Sequence, residues 1–317
     1  MKDRHILPMP SFARTALLRL SKSRWLSEKV MTRPFAKKAV KKFMPGEELA
    51  DALDASAALA RDRLGTVLTK LGENLTAPSE ADAVRDHYLG VFDQVAARKL
   101  NSHVSVKPTQ LGLDFSQSRC AEHLETLAQK AEATGVDFWL DMEDSSYVDR
   151  TLELYRGLRA RHTRVGLAMQ AYLRRTPQDL AVLLPLNPIV RLVKGAYAEP
   201  AHVAFPAKRD TDLAYYDLSV ELLHAAARGQ ALPIFGTHDM GLVDRIAAKA
   251  AALGVANAGY EIHMLYGIRM AEQRTLAAQG RTVKTLISYG SSWFPWYMRR
   301  LAERPANVWF VVKSAFS

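Results

Sequence analysis

Two cations and an aromatic ring sit in the run Arg191-Leu192-Val193-Lys194-Gly195-Ala196-Tyr197. Its apolar centre reads as a buried strand, and a strand that offers charge and a ring at its end makes poor core. It is a place to hold phosphates or a carboxylate, which accept charge-assisted hydrogen bonds from guanidinium and ammonium groups. A second cationic pair, Arg299-Arg300, lies in a stretch whose pattern predicts a helix over 291–303. Ser291 or Ser292 can cap that helix, and Pro295 is tolerated in its first turn. Trp296 precedes the two arginines by three and four residues, so ring and guanidinium groups share one side.

The elements that must position these groups follow from the hydrophobic pattern. Short apolar runs recur at Gly65–Leu71, His103–Lys107, Val136–Asp141, Val165–Gln170, Val190–Lys194, Leu232–Thr237, Tyr260–Met264 and Val283–Ser288. Amphipathic stretches such as Ala121–Ala133 and Gly241–Ala252 separate them, and Glu47 to Asp62 reads as an Ala-rich helix. Strands that alternate with helices pair in parallel, because each return of the chain needs a crossover. Eight such units close into an α/β fold, a distorted (β/α)8 TIM barrel with an N-terminal helical extension. An open doubly wound sheet is the competitor, but no Gly-x-Gly-x-x-Gly follows any run.

Barrel chemistry takes place at the C-terminal ends of the strands. Those ends carry Glu73, Lys107, Asp141, Gln170, Arg191 with Lys194, Thr237 with His238, and His263. Each has a bland reading: Lys107 or Asp141 in a structural ion pair, Gln170 satisfying loop backbone, either histidine as a packing residue. Their convergence on one end of one barrel favours a pocket. No Cys/His metal spacing, no His-Glu-x-x-His and no Gly-x-Ser-x-Gly elbow is present, so neither a metal hydrolase nor a serine nucleophile is expected. Cations outnumber carboxylates, which suits one ligand with phosphates and another with a carboxylate.

The net charge of +10 is concentrated at one end: residues 1–45 hold 12 Lys/Arg against 2 Asp/Glu, and the remainder holds 31 of each sign. We therefore divide the chain into a basic helical arm, 1–62, and a catalytic barrel, 63–317. The arm suits either packing on the barrel or peripheral contact with anionic lipid through residues 1–45. Nucleic acid is not expected as a partner, since no aromatic-basic interleaving follows. The lone Cys120 excludes an internal disulfide framework and suits a reducing compartment. With no apolar run of spanning length and no secretory pattern, the expected location is cytoplasmic, with peripheral contact on the inner membrane face.

VKPTQLGLD (106–114), LDMED (140–144), QAYLRRT (170–176), RLVKGAY (191–197), THD (237–239), MLYGIR (264–269) and RRLAERPAN (299–307) together carry a resemblance. In number and order they make residues 35–315 similar to the proline dehydrogenase family, closest to its compact monofunctional bacterial members. The resemblance implies a flavin-dependent (β/α)8 barrel that binds FAD and oxidises proline by moving a hydride from substrate C5 to flavin N5. It implies that Gln170, Arg191, Lys194 and Gly195 hold the flavin and its phosphates, with Thr237, His238 and His263 contacting FAD further along. Lys107, Arg299 and Arg300 would bind the substrate carboxylate, Asp141 would orient the cations, and Glu73 would pair with the arginines to gate the pocket. Ala196, Tyr197, Leu265, Leu286 and Trp296 would surround the substrate ring. Electrons would pass to a membrane quinone, giving the basic arm a purpose.

Four positions depart from the family pattern. Leu286 and Trp296 stand where tyrosines are usual, His263 where glutamine is usual, and Gly236 where alanine is usual. Losing two hydroxyls around the substrate ring changes discrimination. Another cyclic amino acid, such as hydroxyproline, pipecolate or a bulkier analogue, is therefore the alternative substrate. A flavin-keeping barrel that serves as a binding protein, and a phosphate-binding isomerase or aldolase without flavin, are readings from other classes. Bleaching of a bound flavin by a cyclic amine separates the dehydrogenase from both.

Overall fold

The computed structural model describes residues 40–72, 75–294 and 296–298. Most of the basic arm, together with Glu73, Arg299 and Arg300, lies outside the described residues.

Eight strands run β1 Gly65–Lys70, β2 Ser102–Val106, β3 Phe138–Leu140, β4 Val165–Gln170, β5 Ile189–Val193, β6 Leu232–Gly236, β7 Glu261–Leu265 and β8 Thr282–Tyr289. Each pairs in parallel with the next, and β8 pairs with β1 to close the barrel. The fold is the distorted (β/α)8 barrel the pattern predicts, not the open sheet. Every strand begins and ends within two residues of its predicted run.

Among the described residues, eight longer helices accompany the strands: α1 Leu49–Ala60, α2 Pro78–Ala97, α3 Gln117–Thr134, α4 Val148–Arg159, α5 Thr176–Leu183, α6 Lys208–Ala227, α7 Met240–Ala252 and α8 Met270–Ala278. Local chemistry fixes several ends. The Ser116 hydroxyl accepts from the Arg119 N–H at 3.2 Å and caps α3, which stops at Gly135 with φ +70°. The Asp239 carboxylate accepts from the Leu242 N–H at 3.4 Å and starts α7 immediately after the end of β6.

Strand periodicity separates two environments. Outward residues such as Val104, Leu167, Phe235 and Met264 join the main apolar cluster with the helices. Helix α1 belongs to the same cluster through Ala52, Leu53 and Leu59, against β1 and β8. Full burial of a leucine such as Leu53 contributes about 1.5–3 kcal/mol. Inward residues are unusually polar for such a barrel, whose interior is normally filled by branched aliphatics. Only Val67, Trp139 and Ile234, with Ile189, Leu232 and Leu286 packed on them, form an apolar plug. His103, Arg191, His263 and Lys284 share the interior with them, each at least nine-tenths buried.

Above the barrel, the segment that leads out of the basic arm meets the segment that follows β8. Val40, Phe43 and Met44 cluster with Trp293, Phe294, Trp296, Tyr297 and Met298. The Trp293 indole donates to Glu47 at 3.1 Å. Among the described residues no helix is long and apolar enough to cross a membrane.

Candidate active site

Alternation along β2, β3 and β5 turns Ser105, Asp141 and Arg191 toward the interior at the C-terminal side of the barrel. Arg191 is 3% exposed and pairs with Asp141 through Nη2. The same nitrogen donates to Ser105 Oγ at 3.0 Å, and Ser105 Oγ donates to Asp141 Oδ1 at 2.9 Å. The Arg191 guanidinium also lies over the Trp139 ring, 5.0 Å from its centroid. Burial pulls this guanidinium below its ordinary range, and Asp141 opposes the shift. Its other terminal nitrogen, Nη1, is buried with no hydrogen-bond partner among the described residues.

Gln170 closes β4 in a comparable state. Its Nε2 donates to the Glu143 backbone carbonyl at 3.1 Å, and the Gln170 backbone carbonyl accepts from the Thr176 hydroxyl at 2.6 Å. The Glu143 carboxylate is in turn fixed by the Thr109 N–H and hydroxyl, at 3.1 and 2.7 Å. These hydrogen bonds orient the Gln170 amide so that Oε1 is buried and has no partner among the described residues. A folded protein rarely leaves buried polar atoms unsatisfied, so each such atom marks a place where a ligand completes the set.

Beyond β5, Gly195 adopts φ +117°, and a Cβ there would come within 2.2 Å of the Tyr172 ring. Only glycine allows the chain to pass this close. Lys194 is half-buried, and its ammonium bonds Asp212 at 2.5 Å and Asp239 at 3.3 Å. Ala196 and Tyr197 follow in the same loop, both half-buried. At the end of β6, the Thr237 hydroxyl accepts from the Asp239 N–H at 3.1 Å, and His238 Nε2 accepts from the Leu265 N–H at 2.9 Å. His238 therefore ties the end of β6 to the end of β7.

Leu265 and Leu286 are register partners on β7 and β8. Leu286 packs on the plug of Val67, Trp139 and Ile234. Leu265 packs instead on the cluster that holds Trp296, which is 8% exposed. Lys107 directly follows β2, and its charge acts on Tyr88 together with that of Asp141.

The barrel thus gathers Lys107, Asp141, Gln170, Arg191, Lys194, Thr237, His238 and Leu265 at its C-terminal end, with His263 and Leu286 in the interior below. Glu73, Arg299 and Arg300 lie outside the described residues. Ser105 and Trp139 escaped the reading of strand ends, although each sits two residues before a residue singled out there and shares its face.

The donor set fits a planar heteroaromatic cofactor. Unpaired Arg191 Nη1 and Gln170 Oε1 supply one donor and one acceptor, and the Gly195 turn supplies a close-approach surface.

Comparisons with known proteins establish the family. The family model described as proline dehydrogenase matches residues 52–313. The chain is 36% identical over 274 residues to proline dehydrogenase 1 of Bacillus subtilis (strain 168), covering 86% of this chain and 89% of that protein. It is 35% identical over 279 residues to proline dehydrogenase of Deinococcus radiodurans, covering 86% and 88%. The barrel superposes with a TM-score of 0.78 on the crystal structure of proline utilization A from Bdellovibrio bacteriovorus inactivated by N-propargylglycine. That likeness, at 23% identity, shows the fold, and this chain spans 84% of its own length but 32% of that protein. The chain belongs to the proline dehydrogenase family.

Proposed function

We propose that this member of the proline dehydrogenase family is an FAD-dependent enzyme that oxidises L-proline to 1-pyrroline-5-carboxylate and hands the electrons to a quinone. The observation that carries the reading is the pair of buried unpartnered atoms, Arg191 Nη1 and Gln170 Oε1, at the strand ends of a barrel of this family. When bound, FAD supplies an acceptor for the hydride that leaves substrate C5, and the substrate nitrogen loses a proton as the C=N bond forms.

The residues of this chain bind, orient and exclude water. Arg191, held by Asp141 and Ser105, donates to the cofactor's ring, and Gln170 accepts from it. Gly195 lets the backbone come close, and Thr237 and His238 complete the cofactor side. Lys194, half-buried at the end of β5, would hold the cofactor's phosphates. The resemblance to the family gives Lys107, Arg299 and Arg300 the role of binding the substrate carboxylate, and Glu73 that of pairing with the arginines. Ala196, Tyr197, Leu265, Leu286 and Trp296 enclose the substrate ring. No strong general base is required if the amine binds unprotonated, so positioning and electrostatics account for the protein's share.

Leu286 favours a second reading. An apolar side chain packed on the plug, in place of a hydroxyl partner, suits a larger or more apolar cyclic amine. Steady-state rates with proline, hydroxyproline and pipecolate decide between the two. The leading reading expects the highest kcat/KM with proline. Activity confined to one of the others establishes the second reading and removes the first.

A further inference from the structure

The hydrogen-bonded ladder between β1 and β2 stops short of the barrel mouth. Their register runs from Thr66↔Ser102 to Leu68↔Val104, whereas β1 stays paired with β8 as far as Lys70↔Tyr289. Past Leu68 the facing edges of β1 and β2 need other partners, because buried backbone polar groups are costly to leave unpaired. Two buried side chains supply them. The Tyr88 hydroxyl, on α2, accepts from the Lys70 N–H at 3.0 Å and donates to the Ser105 carbonyl at 3.2 Å. Nearer the mouth, Gln110 does the rest.

Gln110 lies in the short turn Pro108–Leu111 that follows Lys107, and it is 1% exposed. Its Nε2 donates to the Lys70 carbonyl at 2.9 Å and to the Gly72 carbonyl at 2.8 Å. Its Oε1 accepts from the Lys107 N–H at 3.3 Å. Two carbonyls on one side and an N–H on the other leave the amide a single orientation. Lys70 and Gly72 are two residues apart, the interval at which a strand edge offers carbonyls to a parallel neighbour. The Gln110 amide stands in for the rungs that β2 does not provide.

The turn itself does not depend on this side chain. Backbone bonds from Gln110 to Lys107, Gly112 to Thr109 and Leu113 to Pro108 close it, at 3.0, 3.2 and 3.1 Å. His123 holds the Leu111 carbonyl from beneath at 3.0 Å. Thr109 binds the Glu143 carboxylate, and the Glu143 backbone carbonyl accepts from Gln170. These bonds anchor the turn toward β3 and β4. Gln110 adds the tie to β1.

We propose that Gln110 is a positioning residue, which bridges the end of β1 to the turn after β2 and thereby fixes Lys107 in place for the substrate carboxylate. The inference rests on the substrate reading above, in which Lys107 binds that carboxylate. Gln110 acts through Lys107, since both hydrogens of its Nε2 and its Oε1 are engaged by the protein.

The test uses the full-length, FAD-loaded protein. Gln110→Met keeps the length of the side chain and removes all three bonds. It is expected to raise the KM for proline about tenfold, the scale of one lost hydrogen bond, with kcat changed by less than about twofold and FAD affinity unchanged. Gln110→Glu gives a readout that a packing defect does not. A carboxyl held against two carbonyls donates only when protonated, so its KM relative to wild type should stay within about threefold at pH 6 and reach about tenfold by pH 9. Where Gln110→Met does not fold, this pH dependence decides alone. A wild-type KM in Gln110→Met, or a Gln110→Glu ratio that does not change with pH, overturns the proposal and leaves the substrate reading intact. A wild-type protein that oxidises no cyclic amino acid overturns the substrate reading and the inference with it.

Discussion

Arg191 and Asp141 face each other across the barrel from β5 and β3, and Ser105 of β2 bonds to both. Three strands that are remote in sequence are thereby locked together by a single guanidinium. Since Arg191 is almost wholly buried, Asp141 is what makes its charge tolerable there. The same pairing leaves Nη1 free to meet a ligand.

Asp141→Ala is therefore expected to destabilise the fold by about 3–5 kcal/mol, the cost of leaving one member of a buried ion pair alone. Chemical denaturation of the two proteins at neutral pH measures it. Asp141→Asn, which keeps an oxygen acceptor, is expected to lose less. A loss under about 1 kcal/mol for the alanine variant contradicts the pairing, because that is the scale of an exposed ion pair.

Arg299→Met and Arg300→Met should each raise the KM for proline while flavin content stays at the wild-type level. Removing one charge-assisted hydrogen bond to a carboxylate costs about 1.5–3 kcal/mol, or roughly 10- to 150-fold in KM. Unchanged kinetics in both variants removes the arginines from the substrate clamp.

Stability is expected to fall as pH drops below about 6.5. His263 has a folded pKa of about 3, below its ordinary 6.5, because burial disfavours its charged form. The unfolded chain takes up a proton in that interval that the folded protein refuses, so acid favours unfolding. Burial acts the same way on His87, lowered to about 4. The carboxyls of Asp137 and Glu261 are also held below their ordinary values, so their contribution is complete above about pH 5 and is lost as pH falls further. Denaturation midpoints at pH 7, 6, 5 and 4 should decline steadily, with a shallower decline between 6.5 and 4.5 in His263→Gln. A wild-type protein more stable at pH 5 than at pH 7 contradicts this.

The basic arm should matter only at a membrane. Deleting residues 1–30 is expected to weaken co-sedimentation with vesicles rich in anionic lipid and to slow flavin reoxidation by quinone dissolved in them. Proline-dependent bleaching of the flavin should persist. Equal binding and reoxidation with and without the segment instead favours an arm that merely packs on the barrel.

Much of the architecture was legible in the sequence because buried parallel strands are short apolar runs bounded by polar ends. The run Val165–Gln170 coincides with β4 to the residue; Asp141 and Lys194 stand out because a charge ends each run, and Arg191 because a charge interrupts one. The polar interior was not legible. His103, Glu261 and Lys284 look like ordinary solvent-facing residues of alternating strands, and only barrel closure brings β2, β7 and β8 around one point. Ser105 was hidden for a different reason: a small hydroxyl within an apolar strand carries no charge signal, and its role follows from its two partners.

The central claim is that this barrel holds an oxidised flavin which a small cyclic amino acid reduces directly. An absorption spectrum of the purified protein with FAD, taken under argon before and after adding proline, tests it most directly. The account predicts a protein-bound flavin band that bleaches on addition of proline. A correctly folded protein that stays colourless with FAD, or whose bound flavin no cyclic amine bleaches, contradicts it.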